Sequence, residues 1–342
     1  HIKYNKTPEI KWQNFKIVKA PSSIPKEGLI LWDNMYRWVK KEIKIKDEDR
    51  FRHVYVIGQT GTWKSSILQV MARQDLQNGK GIAVIDPHGD LAKDLIPFIP
   101  RERADDVIIF NPADYERPMW LNLLEAHTPD ERDLVAQDAL NIMIKLFWNE
   151  IFGPRIQDYF RNWVLALMEY PEWGALTDIV RLFTDEDFQK ERIRHVKNPI
   201  VKAWWEKTYA SMWDREKQEM IPYFAAKFGW FITNTMMRNI IGQTKSSFDI
   251  SEVMNTSKIL MVNLSKWILW DINSELLWLI LVSKIQMAAM RRQNMSKEER
   301  KDFFMYIDEF QNYITPSIES ILSEARKYRL WLVLAHQYLW QL

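Results

Sequence analysis

A loop that contains glycine and ends in lysine and serine is the first place in this sequence where residue types and spacing indicate chemistry. It follows the apolar run 54–57 and precedes a helix-forming segment. In such a layout the loop amides and the helix N-terminus favour phosphate, a lysine reaches the β- and γ-phosphates, and a serine hydroxyl ligates magnesium. The spacing therefore predicts a P-loop that binds ATP and Mg²⁺, with Lys64 on the phosphates and Ser65 on the metal. Its nine residues are consecutive: Gly58, Gln59, Thr60, Gly61, Thr62, Trp63, Lys64, Ser65 and Ser66.

Trp63 departs from the P-loop pattern, which requires glycine immediately before the lysine. The chain has 17 Trp and only 10 Gly, whereas ordinary usage of about 7% would give roughly 24 glycines. We derive the hypothesis that many of these tryptophans are glycine in the living protein, because the source organism reads UGA codons as glycine. Other tryptophans lie where a chain reversal is expected, and these are Trp120, Trp230, Trp267 and Trp270.

The alternative is a chain that really is rich in tryptophan. In that case the Trp63 side chain would obstruct the close backbone approach that glycine permits. The loop would then be disabled, and the protein would be a nucleotide-dead scaffold that only binds partners.

A second motif lies far downstream, where the apolar run 303–307 ends in Asp308 and Glu309. This is the pattern of a Walker B segment. Asp308 would hold magnesium, directly or through a water, and Glu309 would polarise the water that attacks the γ-phosphate. Many strands end in a solvated acid, so the motif gains weight from the P-loop upstream. Together the two motifs predict an ATPase.

Composition sets broad limits on the function. The 342 residues include 47% apolar and 27% charged residues, which is ordinary for a globular protein, and the net charge of +2 gives no evidence for nucleic acid. The absence of cysteine excludes disulfides and thiolate metal sites. There is no apolar run of 18 residues and no signal peptide. The chain begins with His1, so we expect a segment of a longer protein, with any membrane anchor outside it.

The order of elements predicts an α/β fold. Apolar runs at 54–57, 81–86, 106–110, 258–264, 303–308 and 330–335 predict strands, and helical periodicity predicts helices at 65–78, 273–293 and 315–327. Strands separated by helices imply a mostly parallel sheet. Between about 126 and 250 only helical periodicity is found, beginning at a capping box at Thr128. The predicted domains are lead-in strands at 1–50, an ATPase core at 51–125 and 251–342, and an inserted all-α domain at 126–250.

Several polar residues follow predicted strands or helices and have both a functional and an ordinary interpretation. In the functional interpretation Gln337 senses the γ-phosphate; in the ordinary one it is a solvated residue at a strand end. Arg326 is an arginine finger for a neighbouring subunit, or one member of a basic surface cluster. Asp86, His88 and Asp90 follow a buried strand, where sites form in α/β proteins. The run 242–247 resembles a second phosphate loop but is too short, and we interpret it as coincidence.

Five segments give the sequence a specific resemblance. They are VYVIGQTGT(W)KSS, IAVIDPHGDLAKDL, DVIIFNPAD, FFMYIDEFQNY and ILSEARKYRLWLVLAHQYLWQL. Together they resemble the type IV coupling proteins of conjugation, the TraG/TraD family of the TraM-recognition type, within the HerA/FtsK group of hexameric DNA-pumping ATPases. The resemblance covers roughly residues 50–342, and Trp63, Trp331 and Trp340 look foreign to it.

The resemblance implies a RecA-like P-loop NTPase that moves DNA through a hexameric ring at the cytoplasmic face of the inner membrane. It implies phosphate contacts with DNA independent of base sequence, partners among type IV secretion or relaxosome proteins, and membrane attachment only through segments outside this chain. The family's phosphate-binding lysine and serine correspond to Lys64 and Ser65, and its Walker B acids to Asp308 and Glu309. Its arginine that acts across the subunit boundary, eleven positions before the strand-end glutamine, corresponds to Arg326, and that glutamine corresponds to Gln337. Alternatives are a HerA-like helicase and a secretion or pilus-assembly ATPase.

Overall fold

A computed structural model gives the structure of the chain. Two units are distinguished, His1–Arg50 and Phe51–Leu342, and each is considered by itself. The structure describes residues 18–58, 64–147, 152–172, 174–212, 214–264, 271–313, 322 and 324–337.

The first unit contains an antiparallel hairpin of β1 (Leu29–Tyr36) and β2 (Val39–Ile45). The two strands pair with each other in a two-stranded sheet of their own. The reason is local: Tyr36 pairs with Val39, which leaves a two-residue turn of Arg37 and Trp38 that brings the strands straight back. A short helix, α1 (Asp47–Arg50), follows.

The second unit is built on a six-stranded sheet in which every neighbouring pair is parallel. This confirms the predicted α/β class and all six predicted strands. In chain order the strands are β3 (Val54–Ile57), β4 (Gly81–Asp86), β5 (Val107–Phe110), β6 (Ile259–Asn263), β7 (Phe303–Ile307) and β8 (Leu330–His336). Their spatial order is β3-β8-β7-β4-β6-β5. Strands β4, β7 and β8 are buried along their whole length, as expected for central parallel strands covered on both faces.

Helices connect the strands and fill the chain between β5 and β6. They are α2 (Lys64–Gln77), α3 (Asp90–Leu95), α4 (Pro129–Phe147), α5 (Pro154–Met168), α6 (Asp178–Thr184), α7 (Glu186–Arg194), α8 (Pro199–Ala203), α9 (Asp214–Ile232), α10 (Thr235–Ile241), α11 (Ile250–Asn255) and α12 (Asp271–Arg291). One half of the capping box is present, since Glu131 N donates to Thr128 Oγ1 over 3.3 Å, while the Glu131 carboxylate accepts from His127 N, one residue before Thr128. Most of the helix predicted over 315–327 lies outside the described residues.

Helix α12 confirms the helix predicted at 273–293, but it is apolar on more than the one face that an amphipathic helix would bury. All seven residues from Leu276 to Val282 are buried. The cause is packing on more than one side, since α12 contacts both α4 and α11. A helix that is apolar all round must be covered all round, so α12 is an internal element of this unit.

Helix α2, which follows the predicted phosphate loop, is held at its C-terminal end by two sets of hydrogen bonds. At its C-terminus Gly79 adopts φ 72°, and Lys80 N donates to Asp75 O, which is the expected helix-ending motif. Near the same end the Tyr306 hydroxyl donates to the Asp75 carboxylate, and both side chains are almost fully buried. Because Tyr306 belongs to β7, this bond ties the helix after the loop to the strand that carries the acids.

The tryptophans fall into different environments. Trp230 lies within α9 and not at a chain reversal, so that expectation is wrong, while Trp120 is in a loop and Trp267 and Trp270 lie outside the described residues. Trp331 is buried, stacks on Phe51 at 4.5 Å and donates to Asp302, which is an ordinary core tryptophan environment.

Trp38 differs from all of these. It occupies the second turn position of the hairpin with φ 69° and is 97% exposed, so its side chain packs against almost nothing. With Arg37 at φ 45°, the turn has positive φ at both central residues, as in a type I′ turn. Glycine is the preferred residue at this position, and an L-residue there costs about 1–2 kcal/mol.

We therefore predict that Trp38→Gly stabilises the hairpin by about 1 kcal/mol, because it removes backbone strain without removing packing. The measurement is hydrogen exchange of the β1 and β2 amides, which reports local opening. Trp32→Gly is the matched control. Trp32 is 51% exposed within β1, so the same substitution should lower the protection of these amides. Equal effects of the two substitutions would contradict the prediction.

Candidate functional site

The candidate site lies at the carboxyl edge of the sheet, where β3, β7 and β8 end side by side. Gly58 follows β3 and continues its pairing, since Gly58 N donates to His336 O over 3.1 Å. Lys64 and Ser65 begin α2, Asp308 and Glu309 follow β7, and Gln337 follows β8. The carboxyl ends of parallel strands are the usual place for a ligand in such sheets.

Lys64 joins the two predicted motifs directly. Its ammonium Nζ lies 2.5 Å from Glu309 Oε1 and 2.9 Å from Asp308 Oδ1, although both acids lie far downstream in the chain. The Lys64 side chain is only 6% exposed. One buried cation therefore contacts two buried carboxylates at once, through charge-assisted hydrogen bonds.

Ser65 and Asp308 form a second contact between the motifs. The Ser65 hydroxyl donates to Asp308 Oδ2 over 2.7 Å, and Ser65 is exposed while Asp308 is buried. Two oxygen ligands thus lie side by side, with one of them open to solvent. Within the described residues no three His, Cys, Asp or Glu side chains converge on a metal site. This donor set fits Mg²⁺, which takes one or two protein oxygens and completes its shell with water and phosphate.

Glu309 has an unusual backbone and a crowded carboxylate. Its φ is 50°, a region that non-glycine residues rarely adopt and that is concentrated at functional sites. Its amide donates to Asp308 Oδ1 over 2.8 Å. Besides Lys64, two amides hold the carboxylate: Gln337 Nε2 donates to Oε1 over 3.0 Å, and Gln311 Nε2 donates to Oε2 over 2.5 Å.

Comparison with known proteins places these features in a family. The family described as Type IV secretory system Conjugative DNA transfer matches residues 11–342. The chain belongs to this family. A search of curated proteins finds no match.

Solved structures share the fold at low sequence identity. The plasmid coupling protein TrwB in complex with the GTP analogue GDPNP has a TM-score of 0.58 and 16% identity over 87% of this chain and 66% of its own. Another TrwB structure, with ADP and Mg²⁺, gives the same score and identity. VirB4 of Thermoanaerobacter pseudethanolicus has a TM-score of 0.58 and 14% identity over 94% of this chain and 80% of its own. The chain spans slightly less than two thirds of that first TrwB chain. The fold is thus the RecA-like one predicted from the family resemblance.

The environment of Glu309 changes its acidity. Burial by itself would raise the pKa of this carboxyl, but hydrogen bonds from Lys64, Gln337 and Gln311, together with the Lys64 charge, outweigh burial and lower the pKa below its ordinary value. Glu309 is therefore ionised at neutral pH while Lys64 remains beside it. A carboxylate in this state accepts hydrogen bonds from every neighbour.

The predicted site residues are brought together only in part. Lys64, Ser65, Asp308, Glu309 and Gln337 converge through the contacts described above. Ser66 lies one position further along α2, with no side-chain hydrogen bond to another described residue. The predicted loop residues Gln59, Thr60, Gly61, Thr62 and Trp63 lie outside the described residues.

Arg326 lies at the other edge of the sheet. It is exposed in a short 3₁₀ segment, Ala325–Tyr328, immediately before β8 begins, whereas Gln337 follows the end of that strand. Seven residues of strand span roughly 20 Å. Arg326 therefore does not contact the Glu309 of its own chain.

The last residue of β4, Asp86, holds the loop that follows the strand. Asp86 is buried and accepts from the amides of His88 and Leu91 over 2.8 and 2.7 Å, so it holds the turn into α3. Gly89, at φ 84°, packs so close to Asn263 that a Cβ would lie 2.3 Å from its Oδ1. His88 and Asp90 are exposed. The run 242–247 has a structural role, since Ser246 and Ser247 accept from the amides of Asn122 and Trp120.

Gln311 is the site residue that sequence reasoning missed. It lies two positions after Glu309, in the 3₁₀ segment Phe310–Tyr313, which turns the chain so that the amide returns to the carboxylate. The available signal was the glutamine in the DEFQN segment, which carries no role by residue type alone. Within the described ranges no helix is both long and apolar enough to cross a membrane.

We predict that Glu309→Gln lowers stability at neutral pH and that the loss shrinks in acid. The pKa of Glu309 is depressed from 4.5, so its ion pair contributes fully above about pH 4.5 and is lost as the pH falls through the folded-state pKa. Urea unfolding of parent and variant from pH 7 downwards measures this difference. Glu206→Gln, at an exposed residue, is the control and should show little difference at any pH. A parent-to-Glu309→Gln difference that stayed constant into acid would contradict the prediction.

Proposed function

We propose that this chain is the motor part of an ATP-driven DNA translocase that couples DNA to conjugative type IV secretion. The observation that carries the proposal is the convergence of Lys64, Ser65, Asp308 and Glu309 at one strand edge, in a chain of the conjugative DNA transfer family. TrwB, which shares the fold, has been crystallised with ADP and Mg²⁺ and with non-hydrolysable nucleotide analogues. That supports ATP and Mg²⁺ as the ligands of the present site.

The mechanism starts with an exchange of partners at Lys64. Phosphate oxygens of ATP would take the place of Asp308 and Glu309 around its ammonium group. Losing the Lys64 hydrogen bond allows the pKa of Glu309 to rise, so the carboxylate becomes a better proton acceptor for the attacking water. Ser65 and Asp308 would hold Mg²⁺, which supplies neutralisation of the phosphate charge. Gln337 keeps its bond to Glu309 and is placed to respond to the γ-phosphate.

The assembly we propose is a homo-hexameric ring. Arg326 lies at the edge of the sheet opposite its own site, which suits an arginine that completes the site of the next subunit. The ring would contact DNA mainly through phosphates, with little dependence on base sequence. We assign the helical residues 126–250 to an inserted domain and the flanking 51–125 and 251–342 to the motor core. Residues 1–50 are assigned to a separate lead-in. The ring would work at the cytoplasmic face of the inner membrane, with secretion or relaxosome proteins as partners.

A second candidate is an ATPase that assembles the secretion machine or its pilus. It is favoured by one observation: VirB4 matches 94% of this chain and 80% of its own length, more than TrwB on both counts. A HerA-like helicase is the remaining motor alternative. Stimulation of ATP hydrolysis by duplex or single-stranded DNA separates a DNA pump from an assembly ATPase.

The proposal includes glycine at position 63 in the living protein. It is supported by the counts of 17 Trp and 10 Gly and by Trp38, which occupies a turn position that glycine prefers. A UGA codon read as glycine would account for both. The triplet at codon 63 of the gene tests this directly: UGA supports it, and UGG refutes it.

We predict that Trp63→Gly raises ATP hydrolysis by on the order of a hundredfold over the chain with Trp63, because the backbone amides of the loop can then approach the phosphates. The assay is phosphate release with Mg²⁺, with and without DNA. The double variant that combines Trp63→Gly with Lys64→Ala is the control and should return the rate to background. If neither form of position 63 hydrolyses ATP under any of these conditions, the chain is a nucleotide-dead scaffold and the enzyme proposal fails.

We also predict that two inactive variants restore each other when mixed. Arg326→Ala chains supply an intact Glu309, and Glu309→Gln chains supply an intact Arg326. An equimolar ring would therefore contain intact sites at about a quarter of its interfaces. The measurement is ATP hydrolysis after mixing. Both variants are made in the chain with Trp63 or in the Trp63→Gly chain, whichever hydrolyses ATP. Lys64→Ala mixed with Glu309→Gln is the control, since both defects lie on the same side of the interface and no site is restored. Absence of recovery in the first mixture would show that Arg326 does not act across subunits.

A further inference from the structure

The amide of Gln311 is held in one orientation by its neighbour. Its nitrogen lies 2.5 Å from Glu309 Oε2. The Glu309 carboxylate also accepts from the Lys64 ammonium and from the Gln337 amide, so it acts as an acceptor toward its neighbours. The side of Gln311 that faces Glu309 must therefore be the NH₂ group, and its carbonyl oxygen Oε1 must point away from the carboxylate.

That oxygen is buried and has no hydrogen-bond partner anywhere in the described part of the chain. A buried acceptor without a partner costs about 1–3 kcal/mol, and native proteins contain few of them. The cost is tolerable where the missing partner is a ligand or an ordered water. Gln311 Oε1 therefore indicates a binding position beside Glu309 that a hydrogen-bond donor completes.

Gln311 and Lys64 use different oxygens of Glu309. Lys64 and Gln337 both bond to Oε1, while Gln311 bonds to Oε2. When Lys64 binds phosphate, Glu309 Oε1 loses its hydrogen bond from the ammonium group, but the Gln311 amide still donates to Glu309 Oε2. The amide then fixes the carboxylate orientation in the loaded state. Glu309 Oε1 then keeps the bond from Gln337, and Gln311 Oε1 still has no partner among the described residues.

We propose that Gln311 is a catalytic residue that, together with Glu309, binds the attacking water; this rests on the proposed ATPase function. One water hydrogen is donated to the Glu309 carboxylate and the other to Gln311 Oε1, so a lone pair of the water oxygen is turned to the γ-phosphorus. In the step, the water oxygen bonds to phosphorus and the bond from phosphorus to the β,γ-bridging oxygen breaks. Its electron pair leaves on ADP, and one water proton passes to Glu309. An amide side chain that orients water is an established device in nucleotide hydrolysis.

The test separates water binding from nucleotide binding. It uses the chain with Trp63 or the Trp63→Gly chain, whichever hydrolyses ATP. ADP with beryllium fluoride imitates bound ATP, whereas ADP with aluminium fluoride also requires the attacking water in place. For Gln311→Leu we expect the affinity for ATP and for ADP–beryllium fluoride to change less than about threefold, since Gln311 contacts neither. We expect kcat to fall by about a hundredfold and trapping of ADP–aluminium fluoride to be lost.

Gln286→Leu is the matched control. Gln286 also has a buried Oε1 without a partner in the described chain, but it lies on α12, beside Tyr328 and away from the site edge. Its replacement should leave kcat and both trapped complexes unchanged. A general effect of removing an unpaired amide would appear in both variants, whereas a role in holding water appears only in Gln311→Leu.

Gln311→Glu adds a second measurement, the pH–rate profile, which should not change if Gln311 has only a structural role. A second carboxylate beside Glu309 raises the pKa of Glu309 by repulsion. The acid limb of the pH–rate profile should therefore shift to higher pH, while the retained acceptor oxygen gives a higher kcat than in Gln311→Leu.

Two results would overturn the inference while leaving the ATPase proposal intact. The first is that the parent hydrolyses ATP, while Gln311→Leu keeps kcat within about threefold of the parent and still traps ADP–aluminium fluoride. The second is that Gln311→Leu binds neither ADP–beryllium fluoride nor ADP–aluminium fluoride, which would show that Gln311 only supports the nucleotide pocket. A parent that is inactive in both position-63 forms would overturn the proposed function itself, and this inference with it.

Discussion

The arrangement of the site depends on one ammonium group placed between two carboxylates. Lys64 Nζ lies 2.5 Å from an oxygen of Glu309 and 2.9 Å from one of Asp308, and all three residues are buried. Two neighbouring buried carboxylates repel each other, and loss of one partner from a buried ion pair costs about 3–5 kcal/mol. Only a group that brings comparable negative charge can attract Lys64 away from them. A triphosphate does so, and the same competition explains why the pKa of Glu309 is low in the form described here.

Much of the fold could be predicted from the sequence because the central strands are uninterrupted apolar runs. Strands β4, β7 and β8 read as buried parallel strands without alternation, and they are. The carboxyl ends of such strands meet at one edge of the sheet. The sequence therefore predicts that Lys64 and Glu309 lie close together, even though the conformation of the loops is not known from it. Local pattern was insufficient where a contact depends on tertiary packing. The periodicity of α12 indicates one apolar face, but elements on two sides cover it, and no local pattern contains that information.

Gln311 shows the limit of residue-level reasoning at the site. A glutamine two positions after a strand end is ordinary in type, and its role depends on a 3₁₀ turn that returns the side chain to Glu309. The tryptophan hypothesis has the same limit. Trp38 occupies a turn that favours glycine, whereas Trp163 packs edge-on against Phe183 and Phe224 at 4.2 and 4.6 Å. Composition indicates that some tryptophans are out of place, but only the conformation at each position separates strain from packing.

The bond between Tyr306 and Asp75 limits what an incoming nucleotide can move. It anchors the far end of α2 to β7 inside the core, three turns away from Lys64. Sliding of the helix along the strand, or rotation about its axis, would break this buried hydrogen bond. We therefore expect the far end of α2 to stay in place when the site is filled, while side-chain torsions change. The free energy of that transition consists of rotamer entropy and ion solvation, with little contribution from repacking the hydrophobic interior.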